Sequence, residues 1–212
     1  VNLVVEDINE FSLYTQFNGK YESIAIGNTL NTGPNGLNLN CTPLSSSSAT
    51  LNLEPGQTVE AAYLYWAGSG AGDFEVELNG EQIVSERNFN VTIITNGSYP
   101  IFGAFADVTD IVSSTGNGEY TFSDIDLEAG FTSHCGNGLN FGGWSIVVVY
   151  EDLTLNNNQV GIYDGFQFVS SNSGNLDITL SGFEVIDTQD ATVAFLAWEG
   201  DAGTNLGEEL NF

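Results

Sequence analysis

The chain has 212 residues, 42% hydrophobic and 12% aromatic, with 28 Asp and Glu against 2 Lys and Arg, for a formal net charge of −26. That charge excludes nucleic acid as a partner, because almost nothing is available to neutralise phosphates, and an anionic bilayer surface would repel the domain. No apolar run approaches the roughly 20 residues that a spanning helix needs, so no membrane insertion is expected.

The first stretch, 1–10, opens with apolar "VNLVV" and is expected to be an edge strand or a strand donated to another copy. Residues 11–212 contain no internal repeat or long linker and are expected to form a single β-sandwich domain. Turn residues mark loops at "NTGPNG" (31–36), "SSSS" (45–48) and "EPGQ" (54–57). Strict alternation in "VEAAYLYWAG" (59–68) predicts a strand with Val59, Ala61, Tyr63 and Tyr65 on one face and Ala62, Leu64 and Trp66 on the other. "DFEVELNGEQIV" (73–84) reads as two strands around Asn79-Gly80, a strong hairpin signal. "FADVTDIV" (105–112) closes a single helical turn with Asp107 or Thr109 as cap.

Further on, "GEYTFSDIDL" (118–127) and "NLDITLSGFEVI" (175–186) alternate as half-buried strands. "WSIVVVYED" (144–152) is a nearly continuous apolar run, which suits a central strand covered on both faces, and "ATVAFLAWEG" (191–200) resembles it. No other segment reads as helix. Strands at such spacing, separated by Gly, Asn, Ser and Pro turns, predict an all-β fold, a two-sheet β-sandwich or jelly roll.

The candidate chemistry starts at "SHCGNG" (133–138), where the single histidine, His134, precedes one of the two cysteines. In extended structure neighbouring side chains point to opposite faces, which argues against a nucleophile–base dyad at adjacent positions. A thiolate also wants nearby cations, and two cysteines with one histidine show no zinc-finger spacing. The simplest reading is a Cys41–Cys135 disulfide in an oxidising compartment, with His134 an ordinary exposed loop residue.

Asp124, Asp126 and Glu128 follow Tyr120 and Phe122 at period 2, and Glu199 and Asp201, with Asn205, lie in a second oxygen-rich turn. Both groups are candidate ligands for structural Ca²⁺, although neither completes a calcium-loop pattern. Tyr63, Tyr65 and Trp66 are candidates for sugar stacking, a role that competes with ordinary core packing. Paired carboxylates can hydrolyse glycosides, but 28 acids supply such pairs by chance. No P-loop, G-x-S-x-G or H-E-x-x-H is present, so no enzymatic activity is expected.

Absence of methionine suggests a processed chain or a fragment. Mutual repulsion among so many carboxylates suits an ionic exterior.

Several segments, in order, resemble one family: "NTLNTGPNG" (28–36), "VEAAYLYWAGSG" (59–70), "DFEVELNG" (73–80), "FGAFADVTDIV" (102–112), "NFGGWSIVVVYED" (140–152), "NQVGIYDGFQ" (158–167) and "AFLAWEGDAG" (194–203). They resemble a module of very large exported bacterial surface proteins associated with type IX secretion and gliding motility. The resemblance implies a secreted or cell-surface protein engaged in attachment, adhesion or matrix building, and it brings no catalytic residues with it. A second similarity, running from "AAYLYWAG" through "VELNGEQI" to "FADVTDIVSSTGNGEYTF", is to galactose-binding-like jelly rolls, and it implies carbohydrate binding.

The expected function is therefore a non-enzymatic extracellular structural or adhesive module, whose partners are neighbouring domains, copies of the same protein, or glycans. Two alternatives stand beside it: a self-assembling filament subunit joined by strand exchange, and a calcium-dependent carbohydrate-binding domain.

Overall fold

The structure is a computed structural model that describes residues 9–33, 41–169, 175–183 and 191–198. It is all-β, with three antiparallel sheets. The five-stranded sheet has the order β2 (Tyr21–Thr29), β10 (Gly142–Glu151), β4 (Thr58–Ser69), β8 (Ser98–Asp107) and β7 (Arg87–Ile94). Facing it is a four-stranded sheet of β3 (Ser46–Leu51), β9 (Gly118–Ser123), β5 (Glu75–Leu78) and β6 (Glu81–Val84). From β2 to β5 the chain crosses between the sheets at every step, and it does so again from β8 through β9 to β10, which is jelly-roll topology.

A two-stranded ribbon, β1 (Asn9–Gly19) and β11 (Asn158–Phe166), lies on the outer face of the five-stranded sheet. The sandwich thus carries an additional layer that the sequence reading lacks. Two short helices, α1 (Thr109–Thr115) and α2 (Glu128–His134), fill connections between strands.

Alternation along β4 explains how the layers are glued. Ala62, Leu64 and Trp66 point into the core between the main sheets, with Phe102, Phe122, Trp144, Ile146 and Val148. Ala61 and Tyr63 point the other way and pack under the ribbon with Phe105, Val149 and Ile162. Val59 departs from the expected face. Val149 pairs with Ala61 but Tyr150 pairs with Val59, so Glu60 is an extra residue and the phase inverts there. Val59 accordingly packs on the inter-sheet core.

Strand β10 is central, flanked by β2 and β4 and covered on both faces, as its apolar run predicts. The hairpin at Asn79-Gly80 is also present, both residues having positive φ (53° and 78°). This is the backbone that a two-residue primed turn requires. In "EPGQ" the Gln57 amide donates to the Glu54 carbonyl at 3.0 Å, closing the expected turn.

Three expectations are corrected. The serine tract expected as a loop contributes β3, because its hydroxyls find partners: Ser48 Oγ lies 2.9 Å from Thr121 Oγ1, and Ser47 Oγ accepts from the Trp144 indole at 2.8 Å. The described parts of the two late predicted strands, 175–183 and 191–198, do not form strands. Helix α2 was not expected at all, since its sequence "EAGFTSH" carries an internal glycine and weak helix formers. It is held by tertiary packing, with Phe131 and His134 buried.

The expected leader falls mostly outside the described residues. Its last two positions, Asn9 and Glu10, begin β1, and Asn9 pairs with Phe166 of the same chain.

Candidate functional site

Residues 124–141, between β9 and β10, carry most of the candidate chemistry. Asp124 sets the geometry. Its φ of 58° is left-handed, a conformation that Asp tolerates better than most residues, and it inverts the alternation of the strand. Tyr120 and Phe122 face the core before it, and Ile125 and Leu127 do so after it. Asp124, Asp126 and Glu128 consequently share an exposed face, but not the face of Tyr120 and Phe122 that simple alternation predicts.

Asp126 and, from a neighbouring loop, Asp73 accept from the backbone here. Asp126 Oδ1 accepts from the Glu128 amide at 3.1 Å, at the start of α2. Asp73 Oδ2 accepts from the Asp126 amide at 2.8 Å, which ties this connection to the β4–β5 loop. Among the described residues no group of three or more His, Cys, Asp or Glu side chains gathers as a metal site. Glu199 and Asp201 lie outside the described residues.

Helix α2 then seats on the end of β4. A Cβ on Gly130 would overlap the Ser69 carbonyl oxygen, so only glycine permits this approach. Ser69 continues the joint: its hydroxyl donates to the Leu139 carbonyl at 2.7 Å and accepts from the Phe141 amide at 2.9 Å.

His134 corrects the expectation of an exposed loop residue: it is 1% exposed. Its Nε2 lies 2.8 Å from the Pro100 carbonyl on β8, and its Nδ1 lies 2.8 Å from both the Gly130 carbonyl and Ser133 Oγ. Tyr99 meets the ring edge-on at 5.3 Å. The reason is positional. The last turn of α2 faces β8, and the single N–H of a neutral buried imidazole can satisfy one of these carbonyls. Burial holds its pKa below the ordinary value of 6.5, opposed by the two carbonyl contacts.

Cys135 follows directly, 3% exposed, and is bonded to Cys41 with a Cα–Cα separation of 5.4 Å. The bridge closes 94 residues of chain, for which loop-closure entropy gives about 4–5 kcal/mol. It fastens the segment between β2 and β3, itself paired through Asn31 and Pro43, to the corner that holds α2. The histidine and the sulfur are therefore both committed to structure.

A second joint was not legible from spacing. Arg87 on β7 and Asp164 on β11 form an ion pair, one guanidinium nitrogen reaching Oδ1 at 2.6 Å and Oδ2 at 2.7 Å. Arg87 also lies 5.7 Å above the Tyr14 ring and 5.5 Å above that of Phe89. Between Leu13 and Thr15 the ribbon register shifts, leaving Tyr14 as the extra residue whose ring meets Tyr63 at 5.4 Å and Phe105 at 4.9 Å. Burial pushes the Asp164 carboxyl up from its ordinary value while Arg87 pulls it down. The scarcity of cations in the composition was the available signal for Arg87.

The aromatic candidates for sugar stacking belong to the interior. Trp66 is 0% and Tyr63 4% exposed, and the Trp66 indole donates to the Asp73 carbonyl at 2.8 Å. Tyr65 is partly buried and meets Phe105 edge-on at 5.2 Å. Burial, followed by the charge of Asp107, raises the Tyr63 hydroxyl to about 12. The disulfide thus fastens a loop to the α2 corner, and the Arg87–Asp164 pair joins the five-stranded sheet to the ribbon. No family model, curated protein or solved structure matches the chain.

Proposed function

We propose that the chain is a non-enzymatic extracellular module, structural or adhesive in role, of a bacterial cell-surface protein of the type IX-secreted, gliding-associated kind. The observation that carries this reading is the Cys41–Cys135 disulfide, a bond that persists in oxidising compartments and is rare in the cytosol. The acidic composition supports it, since 2 basic residues in 212 leave trypsin-like proteases little to cut. The non-enzymatic part rests on the commitment of the most reactive side chains: Cys135 is oxidised, and both nitrogens of His134 face carbonyl oxygens.

The test is localisation followed by attachment. Antibodies against the folded module should label intact cells of the source organism. The purified module, immobilised on beads, should hold those beads to the cells or to their matrix. Labelling seen only after the cells are opened would overturn the reading.

A further inference from the structure

We propose that Asn96, in the turn between β7 and β8, is a site of spontaneous covalent modification at which the side-chain amide is lost. The chemistry belongs to an asparagine followed by glycine. The glycine backbone nitrogen attacks the asparagine Cγ, the Cγ–Nδ2 bond breaks, and ammonia leaves with the proton that the attacking nitrogen gives up. Water then opens the resulting cyclic imide at one of its two carbonyls, leaving aspartate or isoaspartate. Only water is consumed, so the folded chain needs no oxidant, reductant or second protein. Glycine favours the attack because no Cβ obstructs the approach of its nitrogen.

Asn18-Gly19, Asn79-Gly80, Asn96-Gly97, Asn117-Gly118 and Asn137-Gly138 lie among the described residues, and each of these asparagines is exposed. Asn35-Gly36 lies outside them. Hydrogen bonding separates sites that share one reactive dipeptide. Asn79 Oδ1 accepts from the Thr121 amide at 2.8 Å. Asn117 is held at both ends, its Oδ1 accepting from the Leu53 amide at 2.6 Å and its Nδ2 donating to the Leu53 carbonyl at 2.8 Å. Asn137 Nδ2 donates to the Tyr99 hydroxyl at 2.6 Å. Asn18 Oδ1 accepts from the side chains of Gln16 and Gln159, both at 3.1 Å. Among the described residues nothing hydrogen-bonds the Asn96 side chain or the Gly97 amide, and the turn is closed by the Thr95 amide donating to the Gly97 carbonyl at 3.1 Å. The electrophile and the nucleophile are therefore both unrestrained at this one pair.

Its place in the fold gives the reaction a consequence. Residues 95–97 alone join β7 to β8, and Ile94 pairs with Ser98 at the last rung. Isoaspartate adds a methylene to the main chain of this short connection, and either product adds a negative charge. The change falls beside Tyr99, whose hydroxyl would lie 2.9 Å from a Cβ on Gly97 and whose ring meets His134. This inference is independent of the adhesive reading, since it rests on the folded chain and water.

The test is to age the purified chain in mildly alkaline buffer, folded and in urea, with isotope-labelled water marking each hydrolysed imide. Pepsin digestion in acid and mass spectrometry then give the conversion at every site. In the folded protein Asn96 should react about fivefold or more faster than Asn79, Asn117 and Asn137, each of which must first give up a hydrogen bond. Asn18, held only by side chains, should fall between. In urea the rates should converge, because all these sites then have the same local chemistry. Asn96→Gln should remove the dominant product and leave the slower sites unchanged. A folded-state rate at Asn96 no higher than at Asn79 or Asn117 would overturn the proposal. So would an order of sites that unfolding leaves as it is.

Discussion

Arg87 holds Asp164 across the seam between the five-stranded sheet and the ribbon, with both carboxylate oxygens within 2.7 Å of one guanidinium nitrogen. The pair is asymmetric: the Asp164 side chain is 1% exposed and that of Arg87 36%. Removing the cation therefore strands a buried carboxylate, and that loss outweighs whatever the intact pair contributes. Arg87→Met is expected to cost about 3 kcal/mol in urea unfolding. The double variant Arg87→Met with Asp164→Leu should recover most of it, because an apolar pair leaves no buried charge. If the double variant is no more stable than the single one, the seam does not depend on this pair.

Gly130 sets how closely α2 approaches β4, since a Cβ there would overlap the Ser69 carbonyl. Gly130→Ala should destabilise the fold by about 1–3 kcal/mol through forced backbone movement. Gly136, where an added Cβ meets nothing within 4 Å, is the control, and Gly136→Ala should be nearly neutral. Thermal melts of the two variants make the comparison, and equal losses would show that the approach is not tight.

His134 makes stability depend on pH. Its folded pKa lies below the ordinary 6.5 because burial favours the neutral ring. The stability it contributes is present above pH 6.5 and is lost as pH falls through the folded value. Protonation of the 28 acids also relieves repulsion on acidification, so the histidine is isolated by difference. Relative to His134→Gln, the wild type should lose denaturation midpoint between pH 8 and pH 5. Parallel curves would exclude an acid-sensitive role for this ring.

Much of the fold was legible where one physical rule dominates. Asn79-Gly80 supports the primed turn without help from the rest of the chain, and the apolar run of β10 required cover on both faces. The disulfide followed from having two cysteines and few competing uses for them. Legibility failed where local signals conflict with distant partners. The hydroxyls of β3 look like loop residues until Trp144 and Thr121 take them up. Glu60 and Asp124 invert an alternation that the bare pattern continues unbroken. Burial of His134 needs Pro100 and Gly130 brought together from β8 and α2, and spacing carries no trace of that meeting.

The disulfide should be the largest single contributor to holding the segment before β3 against the α2 corner. Cys41→Ser with Cys135→Ser is expected to lower stability by about 4 kcal/mol in the loop-entropy picture, and reductant should shift the wild type by a similar amount. A reductant-insensitive melting temperature would assign the stability of this corner to His134 and Ser69 instead.

The most direct measurement is peptide mapping by mass spectrometry of native protein, alkylated before any reduction. The account predicts one cross-linked species joining the peptides that contain Cys41 and Cys135, with neither residue alkylated. Two alkylated cysteines in unlinked peptides would contradict it, and with it the reading of an oxidised module outside the cell.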